Sequence, residues 1–452
     1  MIKINTHFNV FAFQGEKMPR LSQQNKRPIV ASAFGNTLEY YDFTLYGLLC
    51  PIFAKLFFPQ NYGSLTIFMA LSLYAIGFIA RPIGGLLFGY YGDKYGRKNT
   101  LSTSILLMSF SCLLIGCLPT YQEIGFYSTI LLMIARFLQG VCVGGEYSGA
   151  VIFSLEHSSN EKVKNLSGSL LAASCHFGCF IASLIATFFS YMQSTEAAWR
   201  IPFLLGSLAG LWGFFMRYKL PETPVFLENQ KDIFQSHPQL LKTLIKNYKK
   251  ELFLSIILIA IASMMAGFST AFLSIVYTQI LSFKLHTSLL IVSFGLIFYI
   301  IGSLLASYFL RFYQAFYLVQ LVSFLLAIAS LFIMHGLTSR HLVIILLSQA
   351  FFCSLAGVFW GVINPIIYAF FPPLVRYSGI AISDTIARTI FGGTIPIVLL
   401  FLKNYFDNFF VIGLYLSSFC IILIISCLIF TKYSKSVPDK INNLNKFYSA
   451  NE

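Results

Sequence analysis

Charge is what this sequence has least of. Asp, Glu, Lys and Arg make up 11% of its 452 residues, where a soluble globular domain carries about a quarter, and that excludes most soluble enzymes. Acids are the scarcer sign, 17 against 31 Lys and Arg. No G-x-x-x-x-G-K-[ST] stretch occurs, so there is no P-loop with which ATP could drive transport. No His/Asp or Ser/His constellation has the spacing of a membrane-embedded enzyme such as an acyltransferase, and nothing resembles a channel's selectivity filter. The basic residues lie scattered between apolar runs, not in a stripe with interleaved aromatics, so the formal charge of +14 speaks for topology and not for nucleic acid. The nine Cys all fall inside apolar segments, which argues against a secreted disulfide framework. Cys175-His176-Phe177-Gly178-Cys179 brings possible ligands about one helical turn apart but lacks a fourth of the usual kind. Packing is its expected role, and no metal or cofactor is expected.

What is present is apolar surface: 57% hydrophobic residues, 48 Phe and 25 Tyr, with a mean hydropathy of +0.74. Runs with helical spacing and polar breaks predict spans near 29–57, 64–90, 100–118, 125–153, 166–191 and 200–219. A second set follows near 252–281, 288–310, 315–335, 342–369, 377–402 and 408–431. The expected fold is an all-α polytopic membrane protein of 12 helices in two six-helix bundles, 29–219 and 252–431. They are joined by a charged, Pro-containing, solvated linker over 220–251 and flanked by tails 1–28 and 432–452. With this register, 23 of the 31 Lys and Arg fall on the side of both tails and the linker, so both termini are expected in the cytoplasm. The apolar run 8–13 is too short for a signal-peptide core, and Met18 serves as a start as well as Met1.

The segments after helices 4 and 10 read Val163-Lys164-Asn165-Leu166-Ser167-Gly168 and Val375-Arg376-Tyr377-Ser378-Gly379, a weak repeat consistent with two related halves around a midplane site. Between helices 2 and 3, Gly89-Tyr-Tyr-Gly92-Asp93-Lys94-Tyr-Gly96-Arg97-Lys98 fits G-x-x-x-D-[RK]-x-G-R-[RK]. Its glycines permit tight turns and close helix approach, while one carboxylate among three cations can hold a helix end and an ion pair in one conformation only. This loop resembles the signature of the major facilitator superfamily, as does Arg136-x-x-Gln139-Gly140 with Gly144 and Gly145 in helix 4. Gly35-Asn-Thr-Leu-Glu39-Tyr-Tyr-Asp42-Phe-Thr-Leu-Tyr46-Gly47, Ala80-Arg81-Pro82-Ile-Gly84-Gly85, Gly144-Gly145-Glu146, Trp199-Arg200-Ile-Pro202-Phe, Leu220-Pro221-Glu222-Thr-Pro224, Phe371-Pro372-Pro-Leu-Val-Arg376 and Phe391-Gly392-Gly393 narrow the resemblance to the metabolite:H⁺ symporter family. Three departures stand out. The loop after helix 8, Gly302 to Arg311, has no acid; Tyr40 replaces a usual Trp; and the tail after Lys432 lacks the heptads of a coiled coil, which leaves no device of that kind for osmotic regulation.

A charge at the centre of a membrane helix costs roughly 2.5–3.5 kcal/mol on insertion scales, so those retained point to function. The acids within spans are Glu39, Asp42, Glu146 and Asp384. Glu39 and Asp42 are i,i+3, about 4.5 Å apart along the axis and expected on one face, where mutual repulsion and desolvation suit one of them to exchange a proton. The competing reading is a fixed ion pair with Arg136 or Arg388. Asp384 and Arg388 are i,i+4, acid first, and form either an internal pair or a substrate clamp. His176 is either packing or a proton relay. The run Tyr40, Tyr41, Phe43 and Tyr46 offers an aromatic surface for a substrate ammonium, or merely packs.

The resemblance implies a monomeric multi-pass protein of the bacterial cytoplasmic (inner) membrane that is not an enzyme. It would import a small polar metabolite with a proton by alternating access, through Glu39, Asp42, Tyr46, Arg136, Glu146, Asp384 and Arg388. Gly89, Asp93, Lys94, Gly96, Arg97 and Lys98 would act as a gate. A proline/betaine-type zwitterion is the first expectation and a dicarboxylate such as 2-oxoglutarate the alternative.

Overall fold

The computed structural model describes residues 23–59, 65–192, 198–228, 240–373 and 375–435. Most of both tails, with Met1 and Met18, and the middle of the linker lie outside them. Among the described residues each of the twelve predicted spans falls on helix, and no strand occurs. Twelve rods result. We number them α1 (Gln23–Leu48, continued by Cys50–Phe57), α2 (Leu65–Tyr95), α3 (Arg97–Cys117), α4 (Phe126–Glu156), α5 (Glu161–Met192), α6 (Arg200–Tyr218), α7 (Lys249–Ile280), α8 (Leu285–Phe309), α9 (Ala315–Ser339), α10 (Leu342–Phe370), α11 (Arg376–Phe406) and α12 (Phe409–Lys435). Ten of the described rods are long and apolar enough to cross a membrane. The two that fall short carry charge or polar residues: α1 holds Glu39 and Asp42, and α6 is bounded by Arg200 and Arg217.

Local sequence explains where the rods bend. Pro82 sits in the first turn after a break at Ala80, where its missing N–H costs nothing. α4 breaks at Gly144-Gly145. α7 contains two π-turns, Phe268–Phe272 and Val276–Ile280, and α11 one, Arg388–Gly392. Such turns free backbone groups inside an otherwise regular helix and recur at functional sites.

Small residues set the packing, as expected where lipid supplies no hydrophobic drive between helices. α2 and α4 interlock through glycine: a Cβ on Gly84 would strike the Val141 carbonyl, one on Gly140 the Gly77 carbonyl, and one on Gly144 the Arg81 carbonyl. The first six rods and the last six meet where α5 lies against α8 and α10, and where α2 lies against α11. Large apolar side chains such as Leu208, Phe215 and Ile429 are exposed on the outer faces of the rods. That is the surface expected of a protein whose solvent is hydrocarbon.

The described start of the linker is partly folded onto the first half. Thr223 and Phe226 are buried, and Glu222 caps α3 by accepting the Arg97 and Lys98 backbone N–H groups, each at 3.1 Å. A carboxylate there satisfies orphan donors and meets the positive end of the helix dipole.

Candidate functional site

Two cavities lie where the halves meet, and Arg388 lines both. One, about 520 Å³, is lined by Glu39, Tyr40, Phe43, Arg81 and His176 from the first half and by Ser263, Thr270 and Gly392 from the second. The other, about 320 Å³, is lined by Tyr147, Trp360, Asn364 and Asp384.

Glu39 is buried in the larger cavity, and its Oε2 has no hydrogen-bond partner. Asp42 does not share that face. Its carboxylate turns toward α6, so that a Cβ on Gly206 would strike its Oδ1. It lies beside the Cys112 thiol, with neither oxygen satisfied by a standard hydrogen bond. The expected Glu39/Asp42 pair is therefore split: three residues of helix turn the two groups about 60° apart, enough to aim one at the cavity and the other into the first bundle.

Neither acid is locked to the arginines expected for a fixed pair. Arg136 donates to Gln139 Oε1 at 2.5 Å and sits over the rings of Phe43 and Tyr46, at 4.6 and 4.3 Å. Arg388 Nε donates to Asp384 Oδ1 at 2.7 Å, and its Nη1 to the Tyr40 hydroxyl at 2.5 Å. The internal Asp384–Arg388 pair is thus formed in this conformation. Glu146 is held by Arg217, reached also by Ser104, so it belongs to the interior of the first bundle. Arg217, counted by charge with the linker, is instead buried in α6.

The aromatic run of α1 is likewise divided. The Tyr41 hydroxyl donates to the Pro202 carbonyl and that of Tyr46 to the Ala70 carbonyl, at 2.8 and 3.0 Å. Phe43 lies between two cations, Arg81 at 4.3 Å and Arg136 at 4.6 Å from its ring. Tyr40 remains in the larger cavity and meets, edge to face, Tyr147 and Trp360 of the smaller one, which sequence reasoning passed over. Arg81, noted in its motif but not among the expected site residues, lines the same cavity as Glu39. It forms no ion pair among the described residues, and its Nε is unpartnered. An arginine inside an apolar run was the signal available for it. His176 donates through Nδ1–H to the Ala172 carbonyl (2.9 Å), stacks on Tyr299 at 3.5 Å, and leaves Nε2 unpartnered.

The signature loop closes one end. Asp93 Oδ2 accepts from the Ser378 hydroxyl at 2.6 Å and from its backbone N–H at 3.0 Å, across to α11. Arg97 faces Asp93 and Glu156, each at 3.6 Å, and donates to the Pro373 carbonyl at 3.3 Å. Glu156 in turn accepts from Arg376 Nη1 at 3.3 Å and from the Thr223 hydroxyl at 2.7 Å. Gly92 lets α11 approach, for a Cβ there would strike the Tyr377 ring, whereas one on Gly89 would make only ordinary contact; Gly96 has the positive φ of 104° that a side chain resists. Lys94 and Lys98 stand outside this cluster, against Tyr90 and Tyr218. Neutral groups also join the halves, Asn364 Nδ2 of α10 donating to the Gly168 carbonyl of α5 at 2.8 Å.

Residues 33–383 match the family model described as Major Facilitator Superfamily. The chain belongs to that superfamily. It is 31% identical, over 94% of its length and 92% of the relative's, to a putative proline/betaine transporter of Staphylococcus aureus. It is 31% identical, over 92% and 85%, to a glycine betaine/proline/ectoine/pipecolic acid transporter of Dickeya dadantii. The proline/betaine transporter of Escherichia coli is 32% identical, over 82% and 76%. Among solved structures, the proton:xylose symporter XylE aligns with a TM-score of 0.71 at 16% identity, covering 90% of this chain and 95% of that one. That likeness shows the two-bundle fold. The relatives named here are transporters, not enzymes.

Proposed function

We propose that the chain is a secondary transporter that imports a small zwitterion of the proline or betaine kind together with a proton, by alternating access. It would act as a twelve-span monomer of a bacterial cytoplasmic membrane, with bundles 29–219 and 252–431, and with the tails, the linker 220–251 and the signature loop facing the cytoplasm. The observation that carries the reading is Glu39: a buried carboxylate with an unpartnered oxygen, in a central cavity shared by both halves, beside two arginines. Such a group can bind and release a proton as the cavity changes its exposure. Arg81 or Arg388 can meanwhile take a substrate carboxylate as a charge-assisted pair. The curated relatives, proline and betaine transporters by name, support the zwitterion.

A dicarboxylate is the second reading, favoured by the same two arginines, because two carboxylates in a dry site need two cations. Uptake into proteoliposomes separates the readings. An imposed inward proton gradient should drive accumulation that a protonophore abolishes, and excess proline or glycine betaine should compete while 2-oxoglutarate should not. The reverse pattern of competition would transfer the site to the dicarboxylate. Sidedness has its own check: cysteines at Ser236 and Glu196, both outside the described residues, should react with impermeant reagents from the cytoplasmic and the external face respectively.

A further inference from the structure

Tyr40 of α1, Tyr147 of α4 and Trp360 of α10 form the corner of a box. Their ring centroids are 6.1–6.2 Å apart in all three pairs, and the planes meet at 66°, 78° and 90°. Two of the walls are fixed by a relay of hydrogen bonds. Trp360 Nε1 donates to the Tyr147 hydroxyl, which donates to Asn364 Oδ1, both at 2.7 Å, and Asn364 Nδ2 donates to the Gly168 carbonyl. His176 meets Trp360 edge to face at 5.1 Å. In this conformation a cation already faces the corner: the Arg388 guanidinium carbon lies 4.6 Å from the Tyr147 centroid, 5.1 Å from Trp360 and 5.6 Å from Tyr40.

Three nearly perpendicular π-faces converging on one point make an uncommon arrangement with one chemical preference, a diffuse cation of low hydration. A guanidinium satisfies it, and so does a quaternary or secondary ammonium. Nothing in the packing alone requires that the third wall come from the other half of the molecule, yet Trp360 does, so the box is complete only while α10 is docked against α1 and α4.

We infer that this box is the seat of the substrate's ammonium group, and that the Arg388 guanidinium gives up the rings to it. On binding, the substrate carboxylate would draw the guanidinium aside as its counter-ion, while the substrate ammonium takes over the three rings. One arginine thereby answers to both ends of a zwitterion. A ligand with only a carboxylate could draw Arg388 aside but would leave the rings without a cation, and a ligand with only an ammonium would have to push Arg388 off the rings with no anion to hold it beyond Asp384, its partner already. This inference rests on the zwitterion reading above and adds the residues and the order of events.

The test uses the purified full chain in lipid nanodiscs and two ligands of nearly equal shape, glycine betaine and its carbon isostere 3,3-dimethylbutanoate, titrated by calorimetry. The wild-type protein should bind glycine betaine about tenfold or more tightly than the isostere, the gain of a cation over aromatic faces. Tyr147→Phe and Trp360→Phe, which keep a ring, should retain that preference even where both affinities fall. Trp360→Leu and Tyr147→Leu should bring the ratio toward one. Equal binding of the two ligands by the wild type, or a ratio untouched by loss of a ring, overturns the inference while leaving betaine binding and the transporter reading intact. Failure of the wild type to bind glycine betaine and proline at all removes the zwitterion reading, and the box with it. The wild-type comparison stands even if a variant does not fold.

Discussion

Asp93 and Ser378, 285 residues apart, are joined by two hydrogen bonds across the halves, one from the hydroxyl and one from the backbone N–H at the start of α11. In this conformation the signature loop therefore ties the two halves together, and we expect it to work as a latch on the opposite bundle. Its bonds exist only while these ends are together, so they stabilise one conformation and not the substrate.

Weakening the latch should shift the cycle and spare the site. Asp93→Asn and Ser378→Ala should each lower the maximal rate of uptake while changing the equilibrium affinity for substrate by less than about twofold, since hydrogen bonds to a charged group are worth about 1.5–3 kcal/mol and none of this energy is spent on the ligand. Uptake kinetics together with direct binding would check this. A fall in affinity matching the fall in rate would remove the latch role.

Proton coupling should follow Glu39. Glu39→Gln is expected to abolish accumulation against a gradient while retaining exchange of labelled for unlabelled substrate, which needs no net proton movement. Because Asp42 faces Gly206 and not Glu39, Asp42→Asn should act independently, and the double variant should show additive effects within about 0.5 kcal/mol. Strong non-additivity in a double-mutant cycle would mean that the two carboxylates work as one unit.

The Glu146–Arg217 pair is buried at both ends. Removing one partner strands a charge, so Glu146→Gln or Arg217→Met alone should cost on the order of 3–5 kcal/mol, and the two together much less. Thermal unfolding of the three variants in detergent reads this directly. Equal loss in singles and double would show that the pair matters for some other reason.

Glycine interlocking of α2 and α4 predicts intolerance to a single methyl. Gly84→Ala and Gly140→Ala, whose Cβ atoms would meet backbone carbonyls, should destabilise by about 1–3 kcal/mol or more through overpacking. Gly125, with open space around it, has no neighbour to strike. Wild-type melting temperatures in the α2/α4 variants would contradict the close approach.

Much of this was legible in sequence because lipid imposes its own grammar: a buried charge in an apolar run stands out, and Glu39, Arg136, Asp384 and Arg388 were found that way. Arg217 was not, since it is followed within two residues by Lys219 and the charged linker and reads as part of it. Tyr147 and Trp360 gave no signal because aromatics make up 17% of the chain, so no single ring is conspicuous. Glu156 escaped because its partners, Arg97, Thr223 and Arg376, are distant in sequence and only the fold assembles them. The direction of a side chain three residues along a helix, which separates Glu39 from Asp42, depends on which neighbouring rod it meets.

Tyr40 gives the tyrosine-for-tryptophan change at its position a physical sense. A phenol can accept a hydrogen bond, an indole N–H cannot, and here the hydroxyl receives one from Arg388. It helps hold the guanidinium at the partition between the two cavities. Because Asp384 already pairs with that guanidinium, a carboxylate that enters either cavity has to compete with Asp384 for it, so the phenol, by holding the arginine from a second side, sets how much of its hydrogen bonding an arriving anion must replace.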